Sequence, residues 1–315
     1  MIYEISIIVP LYNEQDVFYK LMQRLDEVLD QSPYKIQVIL IDDGSIDETQ
    51  SLIEQKCIKD YRFTAVFLSR NFGHQNAVTA GLNVAVGSNA VFIIDGDLQD
   101  PPELVNDFYN LILEGYDVVN AIRKKRKENL FKRGLYWVFY RFLNSISSIK
   151  LTLDSGDFCM INRKVLDHIN LLPEKNRYVR GLRSWVGFKQ INFEYERNER
   201  IYGQSKYTYK MLFELAYNGI FSFSKFPIKF ITKLGVISII FAFIYIIILL
   251  FYKINHPELI PKGFTSLIFI VSLFSGVQLV AIGVLGEYLV RIYDQVKNRP
   301  NYIIQNKIVD GQRIF

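Results

Sequence analysis

The sequence predicts an open α/β sheet of parallel strands followed by a hairpin of two membrane-spanning helices. Two observations carry this reading. Five short runs rich in Ile and Val alternate with helix-length segments over residues 1–122, and two long uncharged apolar stretches lie in the last third of the chain. A third observation gives the sheet its chemistry: the acidic run Asp95-Gly96-Asp97-Leu98-Gln99-Asp100-Pro101-Pro102-Glu103 directly follows Ala90–Ile94.

The expected strands are Ile5–Val9, Ile36–Ile41, Phe63–Leu68, Ala90–Ile94 and Asp117–Ala121. Near-continuous apolar runs of this length suit parallel strands covered on both faces. Between them Glu14–Leu29, Asp47–Lys59, Gln75–Val86 and Pro102–Leu113 have helix length. Asp47 is placed to cap the second helix, and Pro101-Pro102 suits the start of the fourth. Ligands of open α/β sheets sit at the carboxyl ends of the strands. Asp42-Asp43 and Asp95-Asp97 fall at two such ends and therefore converge on one rim. Carboxylates at i and i+2 of a strand end face the same way. Such a pair suits one divalent cation that also binds diphosphate oxygens and water. Taken alone, Asp-x-Asp is a weak signal that reads more readily as a solvated acidic turn; its place in the strand–helix pattern, ahead of a membrane tail, changes that. The loop after the first strand, Pro10-Leu11-Tyr12-Asn13-Glu14, has no glycine. Without G-x-G-x-x-G or a P-loop, a dinucleotide-binding enzyme is disfavoured.

The chain has 315 residues, 50% of them hydrophobic and 22% charged, with a net charge of +5. Its apolar content is uneven. Leu234–Tyr252 and Phe264–Gly286 each approach the ~20 residues that span a bilayer. A buried core helix is the alternative, which two such runs at one end of the chain disfavour. Lys225, Lys229 and Lys233 precede the first span; Arg291, Lys297 and Arg299 follow the second; the loop between holds only Lys253 and Lys262. By the positive-inside rule, the domain of residues 1–206 and the tail of residues 291–315 are both cytoplasmic, with spans near 232–252 and 264–289. The N-terminus carries Glu4 and a short apolar run ending at Pro10, unlike a signal peptide. Cys57 and Cys159 have neither metal nor redox spacing, as expected of reduced thiols.

Residues 123–150 open with Arg123-Lys124-Lys125-Arg126-Lys127 and continue with Phe131, Leu135, Val138, Phe139, Phe142 and Ile146 at helical spacing. Basic residues beside such a stripe suit a helix at about 130–148 lying in the membrane interface. The alternative is a helix packed on the α/β core. No nucleic-acid module accompanies the charge. A second amphipathic, aromatic-rich segment, residues 207–229, leads into the first span.

Six blocks now stand in order. They are Ser6-Ile7-Ile8-Val9-Pro10-Leu11-Tyr12-Asn13-Glu14, Asp42-Asp43-Gly44-Ser45-Ile46-Asp47-Glu48-Thr49, Leu68-Ser69-Arg70-Asn71-Phe72-Gly73-His74-Gln75, the Asp95–Glu103 run, Asp154-Ser155-Gly156-Asp157-Phe158, and Arg200-Ile201-Tyr202-Gly203-Gln204-Ser205-Lys206-Tyr207. Together they resemble the family 2 glycosyltransferases. The expected fold is GT-A, the Rossmann-like fold of nucleotide-diphospho-sugar transferases. The nearest branch holds dolichol-phosphate mannose synthases and bacterial undecaprenyl-phosphate glucosyltransferases. The resemblance covers essentially the whole chain.

It implies roles residue by residue. Pro10, Tyr12, Glu14, Asp42 and Asp43 would hold the nucleoside, whose ribose hydroxyls and base N–H groups are donors. Arg70, Asn71 and Gln75 would line the donor pocket. Asp95, Asp97 and Gln99 would hold Mg²⁺ or Mn²⁺, with Asp95 also touching the nucleotide sugar. Arg123, Arg133, Arg200 and Lys206 would meet the lipid phosphate, as cations do. Asp157 falls on the catalytic carboxylate, either orienting the acceptor or serving as a base. His74 reads as a pocket-edge or structural residue. One departure is informative: processive relatives carry Gln-x-x-Arg-Trp, whereas this chain has Arg180-Gly181-Leu182-Arg183-Ser184-Trp185. The expected reaction is thus transfer of one sugar, glucose from UDP-glucose, with inversion, onto undecaprenyl phosphate at the cytoplasmic face of a bacterial inner membrane. GDP-mannose or an amino-arabinose donor would use the same chemistry. A non-catalytic membrane scaffold or translocator is the rival of another class, and a homo-oligomer is compatible with either.

Overall fold

The computed structural model describes residues 3–124, 155–175, 177–196, 226–255 and 264–314. They fall into two compact units, a sheet unit and a helical unit.

In the sheet unit, β1 (Ile5–Leu11), β2 (Ile36–Asp42), β3 (Phe63–Leu68), β4 (Ala90–Ile93) and β5 (Val118–Arg123) occupy the five apolar runs. Successive side chains of a strand point to opposite faces, and both faces of this sheet are covered. Ile5, Ile7 and Val9 join a cluster with Leu21 and Leu25 of α1 (Gln15–Gln31), Ile53 of α2 (Thr49–Lys59) and Phe108 of α4 (Val105–Leu113). Ile8 turns the other way, toward Ala77 of α3 (His74–Val84), Leu166 of α5 (Arg163–Leu171) and Val179 of α6 (Val179–Trp185). Two-sided burial is why these strands lack polar alternation.

The sheet has nine strands in the order β7-β5-β6-β4-β1-β2-β3-β8-β9. It is mixed, where the sequence suggested parallel strands throughout. β6 (Ser155–Asn162) lies antiparallel between β4 and β5, and β7 (Gln190–Tyr195) runs parallel to β5. β6 opens with Ser155-Gly156-Asp157 instead of an apolar run, which hides it from hydrophobic patterning. The chain beyond the helical unit returns as β8 (Ile304–Val309) and β9 (Gln312–Ile314). β8 pairs antiparallel with β3 and buries Ile308 in the core.

Two helix starts differ from expectation. Asp47 lies ahead of the cap position of α2, and its carboxylate accepts from the Thr49 and Gln15 amides instead. Pro102 begins a 3₁₀ turn, Pro102–Leu104, that precedes α4.

The helical unit consists of α7 (Phe226–Asn255) and α8 (Phe264–Lys297), 30 and 34 residues long. Pro227–Tyr245 and Leu273–Lys297 are apolar and long enough to cross a membrane. Many of their described side chains are exposed: Ile244 is 51% exposed and Leu279 70%, against 0% for Ile7 in the sheet. Such exposure suits lipid contact and would be costly in water. The expected interfacial helix at 130–148, and residues 207–225 of the juxtamembrane segment, lie outside the described residues.

Candidate active site

The side of the rim expected to take the donor is built by two loops laced together. The Asn13 amide donates to Ser45 Oγ (3.0 Å), and Asn13 Oδ1 accepts from the Ile46 amide (2.9 Å). The Glu14 amide donates to Thr49 Oγ1 (2.9 Å). Asn13 sits at φ 51°, a left-handed conformation that Asn tolerates better than most residues. This turn leaves Tyr12 part-exposed at the rim.

Asp42 and Asp43 are buried at 1% and 3% exposure. Asp42 folds back onto the Ser45 amide, and Asp43 accepts from the Phe72 and Gly73 amides at 2.8 and 2.9 Å. Burial pushes both carboxyls above their ordinary range, opposed by these bonds. Asp43 therefore ties the β2 end to the turn that starts α3. Gly44 makes that approach possible. At φ +69° a Cβ there would lie 2.4 Å from Arg70 C and 2.5 Å from Asn71 N. Arg70 and Asn71 are exposed, with the Arg70 guanidinium over the Phe72 ring at 4.0 Å.

The acidic pair stands at the β4 end. Gly96 lets the loop press on β1, since a Cβ would meet Leu11 Cδ2 at 2.4 Å. Leu98 is buried at φ 62°, a strained conformation for a bulky residue. Asp97 Oδ1 accepts from the Gln99 amide (3.2 Å). Below them Asp100 accepts from the Tyr195 hydroxyl of β7 (2.8 Å), and the charge of Arg123 at the β5 end acts on the same hydroxyl. Burial and the Asp100 charge raise the Tyr195 phenol above its ordinary range.

The strand register explains how Asp157 arrives. β6 pairs with β4 so that Ile93 faces Cys159. Two residues beyond that last pair, each segment carries a carboxylate: Asp95 after the end of β4 and Asp157 near the start of β6. His74 at the start of α3 lies between them, its Nε2 at 3.6 Å from Asp95 and 3.5 Å from Asp157. Desolvation lowers the imidazole, but Asp157 and Asp95 outweigh it and raise the group to about 9. Asp157 also receives Gln75 Nε2 (3.0 Å) and faces Arg180 of α6 at 3.7 Å. Burial opposes its charge, yet Arg180, His74 and Arg183 together hold it well below the usual carboxylate range.

The structure thus gathers Tyr12, Glu14, Asp42, Asp43, Gln75, Asp95, Asp97, Gln99, Asp157 and Arg123 around the carboxyl edge of one sheet. Arg133, Arg200 and Lys206 lie outside the described residues. Sequence reasoning missed Arg180, Arg183, Asp100 and Tyr195, and gave His74 no charge. Their partners stand 23 to 95 residues away in sequence, so no local spacing announces them.

Among the described residues, no group of three or more His, Cys, Asp or Glu could hold a metal ion alone. Asp95 and Asp97 fit an ion that completes its shell with phosphate oxygens and water, the habit of Mg²⁺.

A mixed α/β sheet with an Asp-x-Asp loop at its carboxyl edge, beside a carboxylate from an antiparallel neighbour, is the GT-A architecture of sugar transferases. The glycosyl transferase family 2 profile matches residues 6–169, and the chain belongs to that family. Curated relatives agree over nearly full length. An uncharacterized glycosyltransferase of Bacillus subtilis strain 168, YkcC, is 44% identical over 98% of this chain and 96% of its own. The SfII prophage-derived bactoprenol glucosyl transferase of Shigella flexneri is 39% identical over 96% and 97%. The prophage bactoprenol glucosyl transferase homolog of Escherichia coli K12 is 37% identical over 96% and 98%.

Proposed function

We propose that this glycosyltransferase moves one glucose from UDP-glucose onto undecaprenyl phosphate, or a similar polyprenyl phosphate, at the cytoplasmic face of a bacterial inner membrane. The observation that carries the reading is the grouping of Asp95 and Asp157 about His74, whose Nε2 lies 3.6 and 3.5 Å from them, on a chain that also bears two bilayer-length helices. Relatives named bactoprenol glucosyl transferases, colinear with both parts of the chain, support the acceptor and the sugar.

In this reading Tyr12 and Glu14 hold the nucleoside from the rim. Asp42 and Asp43, turned toward loop amides, shape that pocket. Asp95, Asp97 and Gln99 would hold Mg²⁺ or Mn²⁺, which would supply positive charge to offset the charge growing on the diphosphate leaving group. A non-bridging oxygen of the lipid phosphate attacks the anomeric carbon from the opposite side. A carbon–oxygen bond forms, and the bond to the diphosphate breaks with its electron pair leaving on UDP. One displacement inverts the anomeric centre. The phosphate is already anionic, so no proton need be removed.

Connectivity supports the topology. The chain leaves the sheet unit after β7, runs through α7 and α8, and returns to pair β8 with β3. Two crossings bring it back to the same sheet, and the flanking basic residues favour the cytoplasmic side.

Purified full-length protein given radiolabelled UDP-glucose, Mg²⁺ and undecaprenyl phosphate is expected to yield a chloroform-extractable labelled lipid. Label appearing only in the aqueous or protein fraction, across a panel of nucleotide sugars, would overturn the acceptor assignment.

A further inference from the structure

We propose that Gln75 is a positioning residue of the transfer, acting through Asp157 and the first turn of α6 instead of lining the donor pocket as the resemblance implied. This deepens the glycosyl transfer proposed above and rests on it.

The polarity of one amide is fixed from both ends. Gln75 Oε1 accepts from the Val179 amide at 2.9 Å, and Gln75 Nε2 donates to Asp157 Oδ2 at 3.0 Å. A backbone N–H can only donate, and a carboxylate can only accept. Turning the Gln75 amide over would set N–H against N–H and oxygen against oxygen, so one orientation alone satisfies both partners. Asp157 stays ionised despite its burial, through Arg180, His74 and Arg183, and so remains an acceptor.

Each partner needs what Gln75 supplies. Val179 is 2% exposed and opens α6, where a helix's first amides lack partners within the helix. Tyr178, at the cap position, gives no side-chain acceptor. The same short helix carries Arg180 and Arg183, two of the cations around Asp157. Asp157 meets charge from farther off, with His74 at 3.5 Å and Arg180 at 3.7 Å. Charge at such range attracts without fixing an angle, whereas a hydrogen bond is directional. Gln75 therefore sets how the carboxylate lies. It is itself anchored as the second residue of α3, with its carbonyl accepting from Thr79 Oγ1 at 2.7 Å. The turn just before it is held by Asp43 through the Phe72 and Gly73 amides. One side chain thus joins three elements, and its partners lie 82 and 104 residues away in sequence. A reacting-site group displaced by about 1 Å can cost on the order of 10²-fold in rate.

The test uses full-length protein in detergent with Mg²⁺, radiolabelled UDP-glucose and undecaprenyl phosphate. Turnover is read as UDP release, and the acceptor separately as label in the lipid extract. Gln75→Ala is expected to lower kcat about 10–100-fold, with the donor KM within about twofold. In an Asp157→Ala background the same change should cost at most about twofold more, because the residue it acts through is gone. A donor KM raised about tenfold with kcat kept overturns the proposal. So does a loss that multiplies undiminished onto Asp157→Ala. Gln75→Glu guards against a folding failure. At pH 8 it still offers Val179 an oxygen, but turns the other oxygen against Asp157. Its kcat should fall as far as that of Gln75→Ala, while calorimetric affinity for UDP with Mg²⁺ stays within about twofold of wild type. Turnover of Gln75→Glu within about twofold of wild type would mean that Gln75 serves the helix alone, and overturns the proposal. Label missing from the lipid while UDP is still released defeats the acceptor assigned above, and UDP release still decides for Gln75.

Discussion

The two halves of the rim are built from different materials. The donor half, formed by the β1, β2 and β3 ends, is held by backbone amides on Ser, Thr, Asn and Asp side chains, and by close approach at Gly44. The reacting half, formed by the β4 and β6 ends with α3 and α6, is held by charge: Asp95, His74, Asp157 and Arg180 in one contiguous group. In the proposed function, shape is specified where a neutral, rigid nucleoside would fit, and charge is concentrated where charge would move. Backbone geometry should therefore govern stability in the first half, and side-chain ionisation should govern rate in the second.

The largest effect is expected from Asp97→Asn, a nearly isosteric change that removes charge from the reacting half. Turnover at saturating substrates should fall at least about 10³-fold, with the melting temperature within a few degrees of wild type. Comparable turnover would break the division. Next comes Gly44→Ala in the donor half. A Cβ at 2.4 Å from the Arg70 backbone, at φ +69°, should cost about 2–4 kcal/mol of stability in denaturant titration. Somewhat smaller, Asp43→Ala strips the Phe72 and Gly73 amides of their acceptor, at about 1–3 kcal/mol. Its kinetic mark should be a raised donor KM with the lipid KM unchanged.

The smallest effect concerns pH. His74 is raised to about 9 in the folded protein, so its contribution to stability is fully present below its unfolded value of about 6.5. It is lost as pH climbs from there through 9. Unfolding titrations in EDTA between pH 6 and 9.5 should show this decline, and His74→Gln should flatten it. Asp157 has the opposite sign. Its depressed carboxyl stabilises above about 3.9 and loses that contribution only in stronger acid, so it adds no slope in the same window.

The sheet was legible because its strands are buried on both faces, and continuous apolar runs such as Ile36–Ile41 have few other readings. Strands that begin with working residues were not. β6 starts at Ser155-Gly156-Asp157, and its antiparallel insertion between β4 and β5 has no local signature. The site was legible as far as it is contiguous: Asp42-Asp43 and Asp95-Gly96-Asp97 sit on strand ends that can be counted. Arg180 was not, because its relation to Asp157 exists only once Gln75 joins α3, β6 and α6. The burial of Asp42 and Asp43 could not be foreseen either, since it depends on the Arg70–Gly73 turn closing over Gly44.

The return of the chain to β3 imposes an order on assembly. During synthesis, residues 304–309 emerge only after both long apolar helices have been made. Until then the outer side of β3 presents unpaired amides and carbonyls, a hazard for sticking to other strands. A polypeptide that stalls within its two apolar helices lacks the strand that pairs with β3 and buries Ile308 in the core. Completion of the sheet unit is thereby tied to synthesis of both apolar helices.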